Sequence, residues 1–422
     1  MLTRDSDGNA VLGKGRVDAA LASAGVSTPA YVYDLDGIVA EAVELSGGFG
    51  GQRHLVAYAV KANSAGPILR ALAARGVGAD VVSGAELELA LRCGVAPGDI
   101  VYSGVAKSVA EIDRAIGAGI FALQLESVEE IPRIAARAEA LGRRASVSIR
   151  INPGIEADTH AYMATGHDDA KFGVPRASLG DAVEELRRAP LVDLVGVGHH
   201  IGSQLTSLDE YVSAARMLVP IFATCEAAML QSGRSALSSI DFGGGFGIDY
   251  GKGCPVRPRD FAAAVASELS RAGLTHLRAT VEPGRSLVGS HGVLVASVIM
   301  QKRAGDRRWL MIDAGMNDLL RPALYQALHR IEPLALSAGP SETFRVVGPV
   351  CESSDDFGAH TLPSAAPAAV LIRDAGAYGY TMASEYNGRG LPAEVFLAGG
   401  TVASVLRART AADWVAARAG GS

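Results

Sequence analysis

HLVAYAVKANSAGPILRALAARGVGADVVSGAELELALRCG, residues 54–94, sets the rhythm of this chain. His54–Val60 is a short apolar run closed by the polar cluster Lys61-Ala-Asn63, and Ala65–Arg75 then carries apolar residues at helical spacing. The pattern repeats at once, with Ala79–Val82 reading as a strand and Ala85–Cys93 as a helix.

Outward from that stretch the alternation continues to about residue 285. Further apolar runs are Ile100–Ser103, Phe121–Glu126, Ser146–Asn152, Leu194–Ile201, Ser239–Phe242 and Arg278–Glu282. Helical stretches between them include Val109–Ala118, Val128–Leu141, Leu179–Arg188, Leu208–Gln231 and Asp260–Ala272. Eight strand-then-helix units predict an α/β fold, a closed (β/α)8 TIM-type barrel, with an open doubly wound sheet as the rival. After Glu282 the rhythm changes. Val293–Arg303, Trp309–Asp313, Phe344–Val350, Ala368–Arg373, Glu394–Ala398 and Val402–Arg407 read as strands with few helices between them. The expected division is a barrel over residues 36–285 and a second, mainly β C-terminal domain from residues 286–422 joined by residues 1–35, where Thr28–Tyr33 reads as one more strand. Residues 333–343 and 354–367, rich in Gly, Ser, Pro and Asp, read as loops.

The chain has 422 residues, 49% hydrophobic, enough for two cores. A formal charge of −6 argues against a nucleic-acid or membrane-surface binder. No uninterrupted apolar run reaches the roughly 18 residues of a membrane span, and Met1–Gly15 is polar and mixed in charge, unlike a signal peptide. The four cysteines, Cys93, Cys225, Cys254 and Cys351, form neither a CxxC pair nor a metal-ligand spacing. Free thiols in a reducing cytoplasm, and no metal, are the expectation.

In such a barrel chemistry gathers at the C-terminal ends of the strands. Here those ends carry Lys61 and Asn63, Ser83-Gly84, Ser103-Gly104, Glu126-Ser127, Arg150 and Asn152, His199-His200-Ile-Gly-Ser203-Gln204, Gly243-Gly244-Gly245, and Glu282-Pro-Gly284-Arg285-Ser286. Only six of the 39 basic residues are lysines, so one closing an apolar strand is unusual. A partly desolvated pocket would lower the pKa of Lys61 and make its amine a nucleophile for an aldehyde; snorkelling to solvent or pairing with an acid is the plainer alternative. Loops after the seventh and eighth strands are where these barrels bind phosphate, and a glycine run with a nearby cation suits that, although a tight turn explains Gly243–Gly245 as well. Glu282 could keep a pyridine nitrogen protonated or pair with Arg285 or Arg278. His200 could stack on a ring or sit as a core histidine, and Ser203 could bind phosphate or be an ordinary loop serine.

Together these residues resemble a known family. Tyr58-Ala-Val-Lys61-Ala-Asn63, Asp80-Val-Val-Ser83-Gly84, His200-Ile-Gly-Ser203-Gln204, Gly243-Gly244-Gly245, Glu282-Pro-Gly284-Arg285 and Gly376-Ala-Tyr378 look like the fold-type III pyridoxal-phosphate decarboxylases, which pair an alanine-racemase-like barrel with a β domain. Asp313–Tyr325, Gly348–Ser353 and Asp374–Gly379 are most similar to the diaminopimelate decarboxylase branch, which makes lysine and CO2 from meso-2,6-diaminopimelate. The resemblance implies pyridoxal 5'-phosphate as cofactor, with Lys61 as its Schiff-base lysine. It implies cofactor contacts from His200, Ser203, Gly244, Gly245, Glu282, Gly284, Arg285 and Tyr378. Substrate would be bound by Arg285, Arg321, Tyr325, Glu352 and Tyr378. Lys61, Cys351 and His200 would be catalytic, with Cys351 the acid. It also implies a homodimer with shared sites, because the Cys-Glu pair enters from the second subunit. The charges agree: an amino acid with a distal carboxylate and ammonium needs a fixed cation and a fixed anion. Departures are His199 before His200, Gly166-His-Asp-Asp-Ala-Lys171-Phe-Gly173 as a loose match, and Glu385 in Met382-Ala-Ser-Glu385-Tyr386-Asn387. A related decarboxylase for another free or carrier-linked amino acid is the alternative. A racemase is disfavoured by Glu282, since racemases use a weaker electron sink.

Overall fold

The computed structural model describes residues 2–152 and 171–420. Residues 166–170 of the loosely matching loop lie outside them. The chain divides into two compact units, one of residues Glu41–Gly247 and Cys254–Ser286, the other of Met1–Ala40, Ile248–Gly253 and Leu287–Ser422.

In the first unit eight parallel strands close into a barrel, each hydrogen-bonded to the next in sequence and the last to the first. They are β1 (His54–Ala59), β2 (Gly78–Val81), β3 (Ile100–Tyr102), β4 (Ala122–Leu125), β5 (Ala145–Arg150), β6 (Val192–Gly198), β7 (Ser239–Gly244) and β8 (Arg278–Glu282). Closure excludes the open sheet. Strands covered by helices on one side and packed inside the barrel on the other read as continuous apolar runs, which is why β1 to β4 show no alternation. The intervening helices start and stop on local chemistry. Ser108 and Glu111 form a reciprocal capping box at the start of Val109–Ala118, and Gly119, with φ +67°, ends that helix in the left-handed conformation.

By length and composition the helix Asp209–Gln231 could cross a membrane. In this fold it is a layer of the barrel. Tyr211, Ala214, Leu218, Phe222, Cys225 and Met229 are buried along it, and Arg216 pairs with Glu268 on the helix Pro258–Arg271.

The second unit is built on a sheet in the order Asp356–Pro363, Ser341–Val347, Arg307–Ile312, Gly292–Ala304, Ala30–Asp34, Ala393–Ala398, Thr401–Leu406. Ala369–Ile372 also pairs with Gly292–Ala304, and Ile331–Pro333 with Ala369–Ile372. The N-terminal strand Ala30–Asp34 is central and wholly buried. Two segments read as loops are in fact paired: Ser341–Val347 begins in the first, and Asp356–Pro363 fills most of the second. Phe357 and Leu362 point inward from an otherwise polar strand, and that sparse pattern is hidden among Gly, Ser and Pro.

Candidate active site

Lys61 lies on a single 3-10 turn, Val60–Ala62, directly after β1. Its Nζ donates to Asp80 Oδ2 at 3.2 Å. Asp80 belongs to β2 and is fully buried, and burial pushes its carboxyl up to about 6 despite the attraction of Lys61. Among the plainer readings of Lys61, pairing with an acid is thus seen in this structure. That pairing also holds the amine at the rim of the barrel.

Glu282, at the end of β8, is buried and accepts the Ser103 hydroxyl at 3.3 Å. Neither arginine considered as its partner takes that place: Arg278 bonds Asp99, and Arg285 donates to Ser203 Oγ at 2.9 Å. His200 Nδ1 stands 3.8 Å from Glu282 Oε2, too far for a hydrogen bond. It accepts the Gly244 N–H at 3.3 Å instead. Burial pushes the His200 imidazole down to about 3, with Arg150 and Lys61 adding repulsion. A neutral ring accepting at Nδ1 carries its proton on Nε2. Asp241 lies behind the glycine loop, taking hydrogen bonds from Gly243 N–H and from Gln124, and burial beside Glu282 holds its carboxyl far above the usual range.

Gly244, which ends β7, and Gly245 after it leave no room for a side chain. A Cβ on Gly244 would stand 1.9 Å from the Glu282 carbonyl oxygen, and one on Gly245, which has φ +92°, 2.2 Å from that of Gly202. Gly243 and Gly244 donate their N–H groups to Asp241 and His200; backbone free of side chains here still lets an anion approach closely, and the Arg285–Ser203 pair adds a cation and a hydroxyl. Gly284 packs against Ala59 and Ala62, which ties the loop after β8 to the Lys61 turn. One rim therefore holds Lys61, His200, Ser203, Gly244, Gly245, Glu282, Gly284 and Arg285. An amine for an aldehyde, a buried acid for a ring nitrogen and donors for a phosphate fit pyridoxal phosphate.

The second unit holds the other expected residues. Arg321 opens a short helix, Arg321–Tyr325, and is buried; it donates to the Tyr250 hydroxyl and meets His329 Nε2, each at 2.9 Å, rather than pairing with Asp318 on a surface turn. Tyr325 ends that helix, and Tyr378 adopts φ +56°. Cys351 and Glu352 are exposed.

Residue-by-residue reading missed the contacts of Asp80, Ser103 and Asp241, and a buried network beside them. Lys107 is buried and donates to the Gly104 and Gln124 carbonyls, both at 2.7 Å, and to Glu130 at 3.2 Å. Glu126 takes Arg150 at 3.0 Å and the Gly104 and Gly173 N–H groups. The available signal was partial: Ser103, Glu126 and Arg150 stand at or near the ends of apolar runs, whereas Asp80 and Asp241 lie inside them.

The comparisons agree with this geometry. Residues 35–289 match the family model described as pyridoxal-dependent decarboxylase, pyridoxal binding domain. The chain is 39% identical over 393 residues to diaminopimelate decarboxylase of Zymomonas mobilis subsp. mobilis, covering 92% of this chain and 91% of that one. It is 40% identical over 365 residues to the Helicobacter pylori enzyme of the same name, covering 86% and 88%. A crystal structure of diaminopimelate decarboxylase from M. jannaschii in complex with L-lysine superposes with a TM-score of 0.90 at 34% identity, covering 99% of this chain and 97% of that one. At this similarity and extent, the chain belongs to the pyridoxal-dependent decarboxylases, in the diaminopimelate decarboxylase family.

Proposed function

We propose that this chain is a pyridoxal-phosphate-dependent carboxy-lyase that converts meso-2,6-diaminopimelate to L-lysine and CO2, working in the cytoplasm as a homodimer with shared sites. The observation that carries this reading is the placement of the Lys61 amine, the buried Glu282 carboxylate and the glycine loop on one barrel rim. The M. jannaschii relative's complex with L-lysine, which would be the product, supports it.

Bound pyridoxal phosphate supplies an electron sink for the pair left when CO2 departs. The residues do the rest. Lys61 would hold the cofactor through its amine. Glu282 would keep the ring nitrogen protonated, and neutral His200 would pack as an uncharged ring that adds no second cation. Ser203, Gly244, Gly245, Gly284 and Arg285 hold the phosphate. Tyr378 contacts cofactor and substrate. Arg285 and Arg321, with Tyr325, grip carboxylates, and Glu352 meets the distal ammonium. The Cys351 thiol gives its proton to the carbon that lost CO2. The barrel, residues 36–285, is the cofactor domain, and residues 1–35 with 286–422 form the domain that carries the substrate and acid groups.

The test is a substrate panel with the purified holoenzyme. CO2 release from meso-diaminopimelate and not from ornithine, arginine or lysine supports the assignment; release from one of those instead removes it. Mixing Lys61→Ala with Cys351→Ala subunits tests the shared site, since hybrid dimers regain one intact site while each parent alone keeps at most about a hundredth of wild-type turnover.

A further inference from the structure

Cys351 and Glu352 lie on an exposed turn, yet that turn is held from several sides. Asp355 accepts the Val350 N–H at 2.7 Å and the Met316 N–H at 2.6 Å. The N–H of Cys351 itself donates to Asn387 Oδ1 at 2.8 Å. Tyr386 donates its hydroxyl to Glu352 Oε1 at 2.5 Å, and Arg389 donates to the Pro349 carbonyl at 3.2 Å. Cys351 and Glu352 are consecutive, as are Tyr386 and Asn387, so these two bonds hold one pair of neighbours against the other. Asn387 adopts φ +56°, a left-handed conformation that asparagine tolerates better than most side chains.

Stability does not account for this arrangement. Tyr386 is 46% exposed, and hydrogen bonds between exposed groups contribute little to folding. What the contacts do is fix an exposed thiol and an exposed carboxylate relative to each other.

We propose that Asn387 and Tyr386 are positioning residues for the decarboxylation, Asn387 setting the placement of the Cys351 thiol through its backbone N–H and Tyr386 setting the direction of the Glu352 carboxylate. The inference rests on the proposed function, in which Cys351 is the proton donor and Glu352 meets the distal ammonium. Linking the two through one brace ties the position of the acid to recognition of a substrate bearing a second amino acid group.

The two halves of the brace separate kinetically. In the holoenzyme, Asn387→Ala lowers kcat about tenfold with KM for meso-diaminopimelate within about twofold, because a displaced acid affects proton transfer and not binding. Tyr386→Phe raises KM about tenfold while kcat falls less than about threefold, because Glu352 keeps its charge and loses its direction. A merely structural role moves both constants together and lowers Tm. Asn387→Asp restores an acceptor for the Cys351 N–H and returns kcat to within about threefold of wild type.

A readout independent of turnover is alkylation of Cys351 by iodoacetamide, followed by peptide mass spectrometry across pH. Asn387→Asp places a carboxylate beside the thiol and raises the alkylation midpoint by about half a unit to one unit. An unchanged midpoint, or wild-type kcat and KM in both Asn387→Ala and Tyr386→Phe, overturns the brace. A wild-type enzyme inactive on meso-diaminopimelate overturns the substrate assignment alone, and the alkylation shift still decides the brace. Tyr386→Phe, isosteric and at the surface, keeps the test open if Asn387→Ala does not fold.

Discussion

The Nζ of Lys61 lies 3.2 Å from Asp80 Oδ2, and the two side chains differ sharply in exposure, 37% for the lysine and 0% for the aspartate. The buried acid anchors the amine from below while the amine faces outward from the rim. A surface ion pair of this length would contribute little. Here the buried partner makes the lysine's position a property of the barrel.

In the proposed function, replacing Lys61 by alanine removes the cofactor's covalent attachment and leaves buried Asp80 without its cation. The purified variant lacks the visible band that borohydride bleaches in the wild type, and its turnover falls by roughly 10³-fold or more. Absorbance spectra and CO2 release check both. A bleachable band in the variant would move the attachment to another lysine.

Cys351→Ala keeps bound cofactor and its absorbance, because in the proposed function residue 351 gives a proton and does not hold the cofactor. Turnover falls about 10²-fold, the usual contribution of a positioned proton donor. Wild-type rates remove Cys351 from its assigned role.

Gly244→Ala drives a methyl to within 1.9 Å of the Glu282 carbonyl oxygen, which is backbone and cannot swing away. The loops after β7 and β8 must separate, at about 1–3 kcal/mol of stability. Cofactor affinity drops with them. Thermal unfolding and cofactor titration measure the two effects.

His199 sits beneath the site, buried against Tyr211 and Phe242, and burial pushes its imidazole down to about 3. The folded value lies below the ordinary value near 6.5, so between those limits the unfolded chain binds the extra proton. The stability from keeping this ring neutral is complete above the unfolded value and is lost as pH falls through that window, at no more than about 1.4 kcal/mol per pH unit. His199→Phe removes the titration. Urea unfolding at pH 7 and pH 5 should show a smaller acid loss in the variant; equal losses would place the titration elsewhere.

Lys107→Met leaves Glu130 buried without its cation and strips the Gly104 and Gln124 carbonyls of a donor. Breaking a buried pair from one side costs about 3–5 kcal/mol. A urea midpoint within error of wild type would show that the network relaxes around the loss.

The barrel was legible because strands buried on both faces and helices buried on one leave different periods in the chain, and between His54 and Glu282 eight strands alternate with such helices. The rim was legible because polar clusters interrupt apolar runs at Lys61, His200, Gly243–Gly245 and Glu282–Arg285. The edge strand Asp356–Pro363 was not, since only Phe357 and Leu362 turn inward from it. Nor was the bond from Tyr386 to Glu352, which joins residues 34 apart across a turn that no periodicity marks.

By itself the sequence determined which residues could do chemistry and in what order they meet the ends of the strands, because burial imposes its period locally. Only the tertiary structure decided which acid holds Lys61, which nitrogen of His200 accepts, and which side chains brace Cys351 and Glu352. Those are choices among partners distant along the chain, set by barrel closure and sheet pairing, and hydrogen-bond geometry at that range leaves no mark on composition or spacing.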